Sequence, residues 1–534
     1  MPNASALADA VYLKPQVKLE PLVCGWYAWS HLIGPAQLAL HITYRILPLM
    51  ESFASNPQVH VSANSDPAMY GGPFVDLAEA DVERVRGLIE QTRIECADLI
   101  ALATDLRTLN GKLHEQGNGQ SLNDFYAQLP PSLQGLVELL YDIHHHPSVR
   151  MFEPMLYQEN LASHTQSIML KPEADNERAF FMSTPRLENA DSLSFKMPFA
   201  DPRLDTLAAT RSAPGSFDAL ARLFEVDDAK RAQFRAFFHD QAPGLRGERD
   251  HQGEGVRMRY FGHACVLFQY GGVNVLFDPF VSIGEGDDQR YTINDLPDVI
   301  DYVVITHSHQ DHFSAEMLIQ LRHRIKRVIV PSNNSGNIAD PCMRLALREL
   351  GFAHIDVLDC FEQVELPGGH VLSLPFTGEH ADLSIYSKQA IVLALGERKF
   401  MFLVDSDGRD VVLYQRIMRQ VGPVDALFIG MECHGAPLNW LYEPLLGIPL
   451  NRRNNESRRL SGADSVRAWN ILAEIKAPRV FVYAMGQEPW MQYIMGLQYT
   501  PDSVQLTESN RFIEQCKDGG IDAERLYGNR EIVF

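Results

Sequence analysis

The chain has no CxxC pair, no excess of basic residues and no long apolar run, and each absence removes a class of function. Its seven cysteines, at positions 24, 96, 265, 342, 360, 433 and 516, are odd in number and widely scattered, so neither a disulfide framework nor a thiolate zinc site is indicated. Reduced, mostly buried thiols are expected. With 47 basic against 68 acidic residues the formal charge is −21, which argues against nucleic acid as a partner because no basic face dominates. No apolar stretch approaches the roughly 18 to 20 residues that a membrane helix requires. The opening "MPNASALADAVYLKPQ" also lacks the basic start and continuous apolar segment of a signal peptide. The expected setting is the cytoplasm, with no membrane involved.

The composition, 46% hydrophobic and 22% charged over 534 residues, is that of a globular protein able to bury a sizeable core, and two large domains are expected. The division falls at "QAPGLRGERDHQGEGV", 241–256, where Gly, Pro and charge displace any periodic pattern. This gives an N-terminal domain over 1–245 and a second domain over 256–534. In the first, the three- and four-residue spacing of Val82, Val85, Leu88 and Ile89 predicts one long amphipathic helix within 77–117. Further helices are predicted over 34–50, with Pro35 in the first turn, and as a pair over 216–238. "HTQSIML" reads as extended, so the domain is mainly helical with some strand. After the linker the pattern turns strand-like. "VRMRYFG", "ACVLFQY" and "VNVLFDP" are β-rich, the last two joined by the hairpin signal Gly271-Gly272. Seven more buried strands follow, with helices at "SAEMLIQLRHRI", "PCMRLALREL" and "SVRAWNILAEI". Two sheets layered with helices, an α/β architecture, are implied.

The chemistry concentrates in "VVITHSHQDHF", 303–313. If the backbone stays extended after the strand, His307, His309 and Asp311 project from one side at roughly 6.5 Å spacing. His312 follows where the chain turns. Ser314 is placed to cap the next helix, with Glu316 in its first turn. Strand and helix thus fix both flanks of a loop that brings nitrogen and oxygen donors to one point.

The H-x-H-x-D-H pattern resembles the signature of the metallo-β-lactamase fold, an αββα sandwich, and the likeness runs from about residue 256 to the end. The resemblance implies three later donors. "PFTGEHADL" supplies Glu379 or His380, "MFLVDSDG" supplies Asp405, and "FIGMECHGAP" supplies His434. Zinc hydrolases of the fold usually carry histidine directly after a glycine at the first of these places, whereas here Gly378 precedes Glu379. His380 would point the other way along an extended segment, so Glu379 is favoured as the donor. Asp311, Glu379 and Asp405 then bring three negative charges, which favour a harder, more highly charged ion such as Fe(III). Two histidines and a glutamate also serve zinc peptidases, so this donor set is shared by both chemistries.

The whole chain resembles the diiron β-hydroxylases of chloramphenicol biosynthesis and related nonribosomal peptide pathways. The likeness rests on overall length and on "GPAQLALHITYRILPLMES", "YFGHACVLFQYGGVNVLFDPF", "THSHQDHF", "FTGEH", "LVDSDG" and "ECHGAPLNWLY". It implies an O2-dependent monooxygenase that hydroxylates the β-carbon of an amino acid held as a thioester on a carrier domain. It also implies an external electron donor, and a homodimer whose N-terminal domain shapes the approach to the active site. One iron would be held by His307, His309 and Glu379, the other by Asp311, His312 and His434, with Asp405 bridging. Competing readings are a zinc hydrolase of a thioester or phosphoester, from which Glu379 separates it, and a metal-bound scaffold without turnover.

Other residues carry weaker signals. His263 in "GHA" and Asp278 in "FDP" can buttress the metal loop or simply form turns. The arginines of "NRRNNESRR" can meet an acidic partner or lie in solvent, and "HHHP" at 144–147 reads as loop because acids at ligand spacing are missing. Trp26 and Trp29 are read as core or interface residues.

Overall fold

The computed structural model describes residues 9–159, 161–284 and 290–534; the first eight residues of the opening segment lie outside the described part. The N-terminal half is built on an antiparallel sheet in the order β2-β1-β3-β4, from β1 (Val17–Val23), β2 (Trp26–Tyr27), β3 (Gln166–Pro172) and β4 (Leu193–Lys196). The helix expected over 34–50 is divided into α1 (Pro35–His41), a π-helical turn over Ile42–Ile46, and α2 (Leu47–Ser55). Pro48 offers no N–H to the carbonyl four residues back, and a π turn is a way for a helix to absorb that loss. The long helix expected within 77–117 is likewise two, α3 (Val82–Glu95) and α4 (Ala97–Gln116). They part at Cys96, which leaves helical geometry and brings its sulfur 2.8 Å from that of Cys24.

Beyond 256 the chain forms two seven-stranded sheets. The first runs β10-β9-β8-β7-β6-β5-β18, from β5 (Arg257–Gly262), β6 (Cys265–Tyr270), β7 (Val273–Phe277), β8 (Ile300–Val304), β9 (Ile325–Pro331), β10 (Ile355–Leu358) and β18 (Arg530–Val533). The second runs β11 to β17 in chain order: Gln363–Leu366, Gly369–Leu374, Ala390–Leu395, Arg398–Val404, Ala426–Gly430, Arg479–Tyr483 and Asp522–Arg525. Gly271 and Gly272, both at positive φ, close the β6–β7 hairpin as their sequence predicted. The sheets meet over an aromatic seam in which Phe277 stacks on Phe402 at 4.2 Å and Phe402 on Phe428 at 4.4 Å.

Helices cover both outer faces. The second sheet is covered by α7 (Val411–Val421), α10 (Ser465–Ile475) and α11 (Val504–Asp518), with α8 (Leu438–Tyr442) and α9 (Arg452–Ser457) on the chain between α7 and α10. The first is covered by α5 (Ala315–Leu321), α6 (Met343–Glu349) and the N-terminal half itself. Leu267, Leu276 and Val328 of the sheet share one continuous apolar core with Val17, Leu38 and Leu102. Trp26 and Trp29 lie within that core. The 241–256 segment has no regular structure. Strands β7 to β10 are parallel, as are β14 to β17, so the loops at their carboxyl ends gather along one edge of the sandwich. Among the described residues, no helix is long and apolar enough to cross a membrane.

Candidate metal centre

The loop after β8 is tied down before any metal is considered. Asp278, at the end of β7, accepts from the Thr306 N–H at 2.8 Å and hydroxyl at 2.7 Å, and lies 2.8 Å from His312 Nδ1. The Thr306 hydroxyl also lies 3.1 Å from His307 Nδ1. Both histidines are thereby oriented through Nδ1 and present Nε2 to the cluster. From the N-terminal half, Ser30 donates its hydroxyl to the Ser308 carbonyl at 2.6 Å. Ser314 caps α5 by accepting from the Met317 N–H, and Glu316 occupies its first turn as expected.

Three overlapping groups of donors result: His307, His309 and Glu379; His307, His312 and Asp405; and His263, Asp311 and His312. His309 Nδ1 is 2.5 Å from Glu379 Oε2, and Asp405 Oδ2 lies 3.6 Å from His307 Nε2 and 3.2 Å from His312 Nε2. Asp405 therefore stands between the other two sets. His263 Nδ1 accepts from the Gly486 N–H, which leaves Nε2–H to hold Asp311 at 3.1 Å. His263, Asp278, Glu379 and Val404 all sit at positive φ. Such strain in residues other than glycine is typical of functional sites.

The donor set fits metal ions. His307 Nε2 and His312 Nε2 are buried without a hydrogen-bond partner, an expensive arrangement unless a cation completes it. Burial raises the Glu379 carboxyl to about 7, with Asp405 and Asp311 adding to the rise against the pull of His309. Burial together with His312 and His309 pushes the His307 imidazole well below its ordinary value. His312 shows the opposite: burial alone would depress it, but Asp311 and Asp278 hold it well above the usual range. Carboxylates and imidazoles crowded in one dry pocket are a set that positive ions would organise. Thiolates are absent from it.

The geometry departs from the sequence reading at His434, not at His380, which that reading sets aside in favour of Glu379. His380 is buried but stacks on His309 at 4.4 Å, outside the three donor groups. His434, expected as the last donor, has an exposed side chain, and only its carbonyl turns inward to accept from Gln505. A tight turn, in which the Cys433 N–H bonds the Met431 carbonyl, breaks the alternation after β15, and Gly435 is pressed on the Leu460 carbonyl. Glu432 consequently lines the metal pocket with His309, Asp311 and Glu379. Burial and the neighbouring Asp311, Asp405 and Glu379 raise its carboxyl well above the usual range. The signal for Glu432 was its place two residues before His434. Tyr442, whose hydroxyl meets His309, closes the "ECHGAPLNWLY" stretch, but no role is read for it there. His144, His145 and His146 form an exposed turn around Asp142.

Two facing sheets with histidine and carboxylate donors at their strand ends define a metal-dependent enzyme of the metallo-β-lactamase fold. Residues 12–243 match the family described as the diiron non-heme beta-hydroxylase N-terminal domain, and 257–374 match the beta-lactamase superfamily domain. The 4-amino-L-phenylalanyl-[CmlP-peptidyl-carrier-protein] 3-hydroxylase of Streptomyces venezuelae is 34% identical over 97% of this chain and 99% of its own length. The crystal structure of CmlA, a diiron beta-hydroxylase from Streptomyces venezuelae, superposes with a TM-score of 0.91 at 33% identity, covering 98% of this chain and 99% of that one. A glutamate-to-aspartate mutant of the CmlA beta-hydroxylase gives 0.89 at 33% identity over 98% and 100%. The chain belongs to the diiron non-haem β-hydroxylases and is an enzyme of that class.

Proposed function

We propose that this enzyme hydroxylates the β-carbon of an amino acid held as a thioester on a peptidyl carrier domain, using O2 and electrons from an external reductase. The observation that carries the reading is Glu379 in the His307–His309 group, where a zinc hydrolase of this fold has histidine. In this reading His307, His309 and Glu379 would hold one iron and Asp311 and His312 the other, with Asp405 placed to serve both. Glu432 faces the pocket from the side where His434 was expected. When bound, the iron pair supplies oxygen activation that zinc, lacking redox chemistry, cannot. The protein's part is to orient and to exclude water. Asp278 and Thr306 hold two imidazoles, His263 holds Asp311, and Trp440, Leu460 and Leu497 wall the pocket.

The N-terminal domain, residues 1–245 in this reading, shapes the approach and mediates dimerisation, with residues 256–534 as the catalytic domain. Access is supported by a cavity of about 580 Å³ lined by Tyr44, Arg45, Phe74, Phe180 and Trp440. Trp440 also lines the metal pocket, so the cavity and the pocket are neighbours across this side chain.

The test is the metal content and optical spectrum of protein from iron-supplemented cells. Two irons per chain with near-ultraviolet bridged absorption are expected. Stoichiometric zinc with thioesterase activity would overturn the reading. Sedimentation of the iron-loaded protein tests the homodimer.

A further inference from the structure

An imidazole has two nitrogens that compete for a metal, and the one held by a neighbouring group leaves the other free. For His307 and His312 the holders, Thr306 and Asp278, lie just past the ends of β8 and β7 respectively. His309 is held differently. Its Nε2 lies 2.8 Å from the Tyr442 hydroxyl, while its Nδ1 faces Glu379. Tyr442 is 1% exposed and closes α8, the helix whose Trp440 lines both the metal pocket and the larger cavity.

We propose that Tyr442 is a positioning residue for the metal centre: by accepting the Nε2–H of His309 it makes Nδ1 the donor and fixes the plane of the ring. This rests on the two-metal reading above. A neutral phenol draws less on the N–H than the Asp278 carboxylate does at His312, so His309 is the less basic donor and the two metals are electronically unequal. The arrangement also makes one donor depend on α8, an element outside the metal loop. The stacking of His380 on His309 supplies a second restraint on the same ring, so Tyr442→Phe should leave the fold intact while releasing the choice of nitrogen.

The experiment compares the full-length chain with Tyr442→Phe, both loaded anaerobically with iron(II). Mössbauer spectra and the rate of iron release to a pyridyl chelator are recorded, together with the unfolding midpoint of the metal-free proteins. The expected result is that one of two iron environments shifts and one iron leaves at least about tenfold faster, with the metal-free midpoint unchanged. Superimposable spectra and release curves overturn the proposal. So do equal effects on both irons with a lowered midpoint, which would mark a packing role. As a second measurement, ¹⁵N-histidine spectra of the zinc-loaded chain should show metal on Nδ1 of His309, and metal on Nε2 overturns the proposal without any variant. Zinc in place of iron in the isolated protein would sink the hydroxylase reading alone, since release of zinc tests Tyr442 equally.

Discussion

The Arg178 guanidinium lies 2.7 Å from the Glu316 carboxylate, and with it joins the N-terminal half to the helix that follows the metal loop. Glu20 accepts from the same guanidinium at 2.6 Å, and Tyr27 donates to Glu316 at 2.9 Å. All four side chains are buried. Arg178→Met removes the guanidinium that pairs with both Glu316 and Glu20 and is expected to cost about 3–5 kcal/mol. Chemical denaturation of the metal-free protein measures this. A loss under about 1 kcal/mol would mean that the neighbouring Arg211 and Lys18 make up for the missing guanidinium.

Glu379→His restores the histidine of zinc hydrolases and removes one negative charge. It is expected to shift metal preference toward zinc and abolish hydroxylation, read by metal analysis after growth with both metals. Retained iron and full turnover would refute the argument from ligand charge.

Asp278→Asn keeps the size of the side chain but weakens its hold on His312 Nδ1. Losing such a partner typically costs about 10- to 100-fold in metal affinity. Chelator titration should show that loss with secondary structure intact by circular dichroism; an unchanged affinity would leave Asp278 as a turn residue only.

Glu432→Gln should lower the affinity of one metal, because Glu432 lines the pocket, while His434→Gln should leave both metals in place. The reverse pattern in metal stoichiometry would restore His434 as the last donor.

Acid stability should depend on Glu20. Burial alone would raise its carboxyl, but Arg186 and Arg178 hold it at about 2, below the ordinary 4.5. A depressed carboxyl stabilises the fold above its unfolded value, and that contribution disappears as pH falls through the folded one. Unfolding midpoints of the metal-free protein should therefore fall as pH drops from about 4.5 toward about 2, and Glu20→Gln should flatten that slope. An unaltered slope in the variant would assign acid sensitivity to other groups.

Much of the fold was legible because it rests on local pattern. The ten strands read beyond the linker are interior strands with near-continuous apolar runs, and Gly271-Gly272 announced their first hairpin. Beyond the linker the strands that escaped, β10, β11, β17 and β18, are the four sheet edges, whose short, half-polar sequences resemble loop, and in the N-terminal half β1, β2 and β4 escaped as well. The breaks at Cys96 and at Ile42–Ile46 were hidden because helical spacing continues across both.

By itself the sequence determined the metal loop, the strand-end place of Asp405, and Glu379 where histidine is usual, since each is a matter of residue type beside an element with a clear period. Only the tertiary structure decided that His434 faces solvent and Glu432 the pocket, because one tight turn after β15 reverses an alternation that sequence must assume. Contacts made across long separations were also beyond it. The Arg178 bond to Glu316, the Ser30 bond to Ser308 and the Tyr442 bond to His309 each join segments more than a hundred residues apart, and no local pattern encodes which distant side chain a buried polar group will meet.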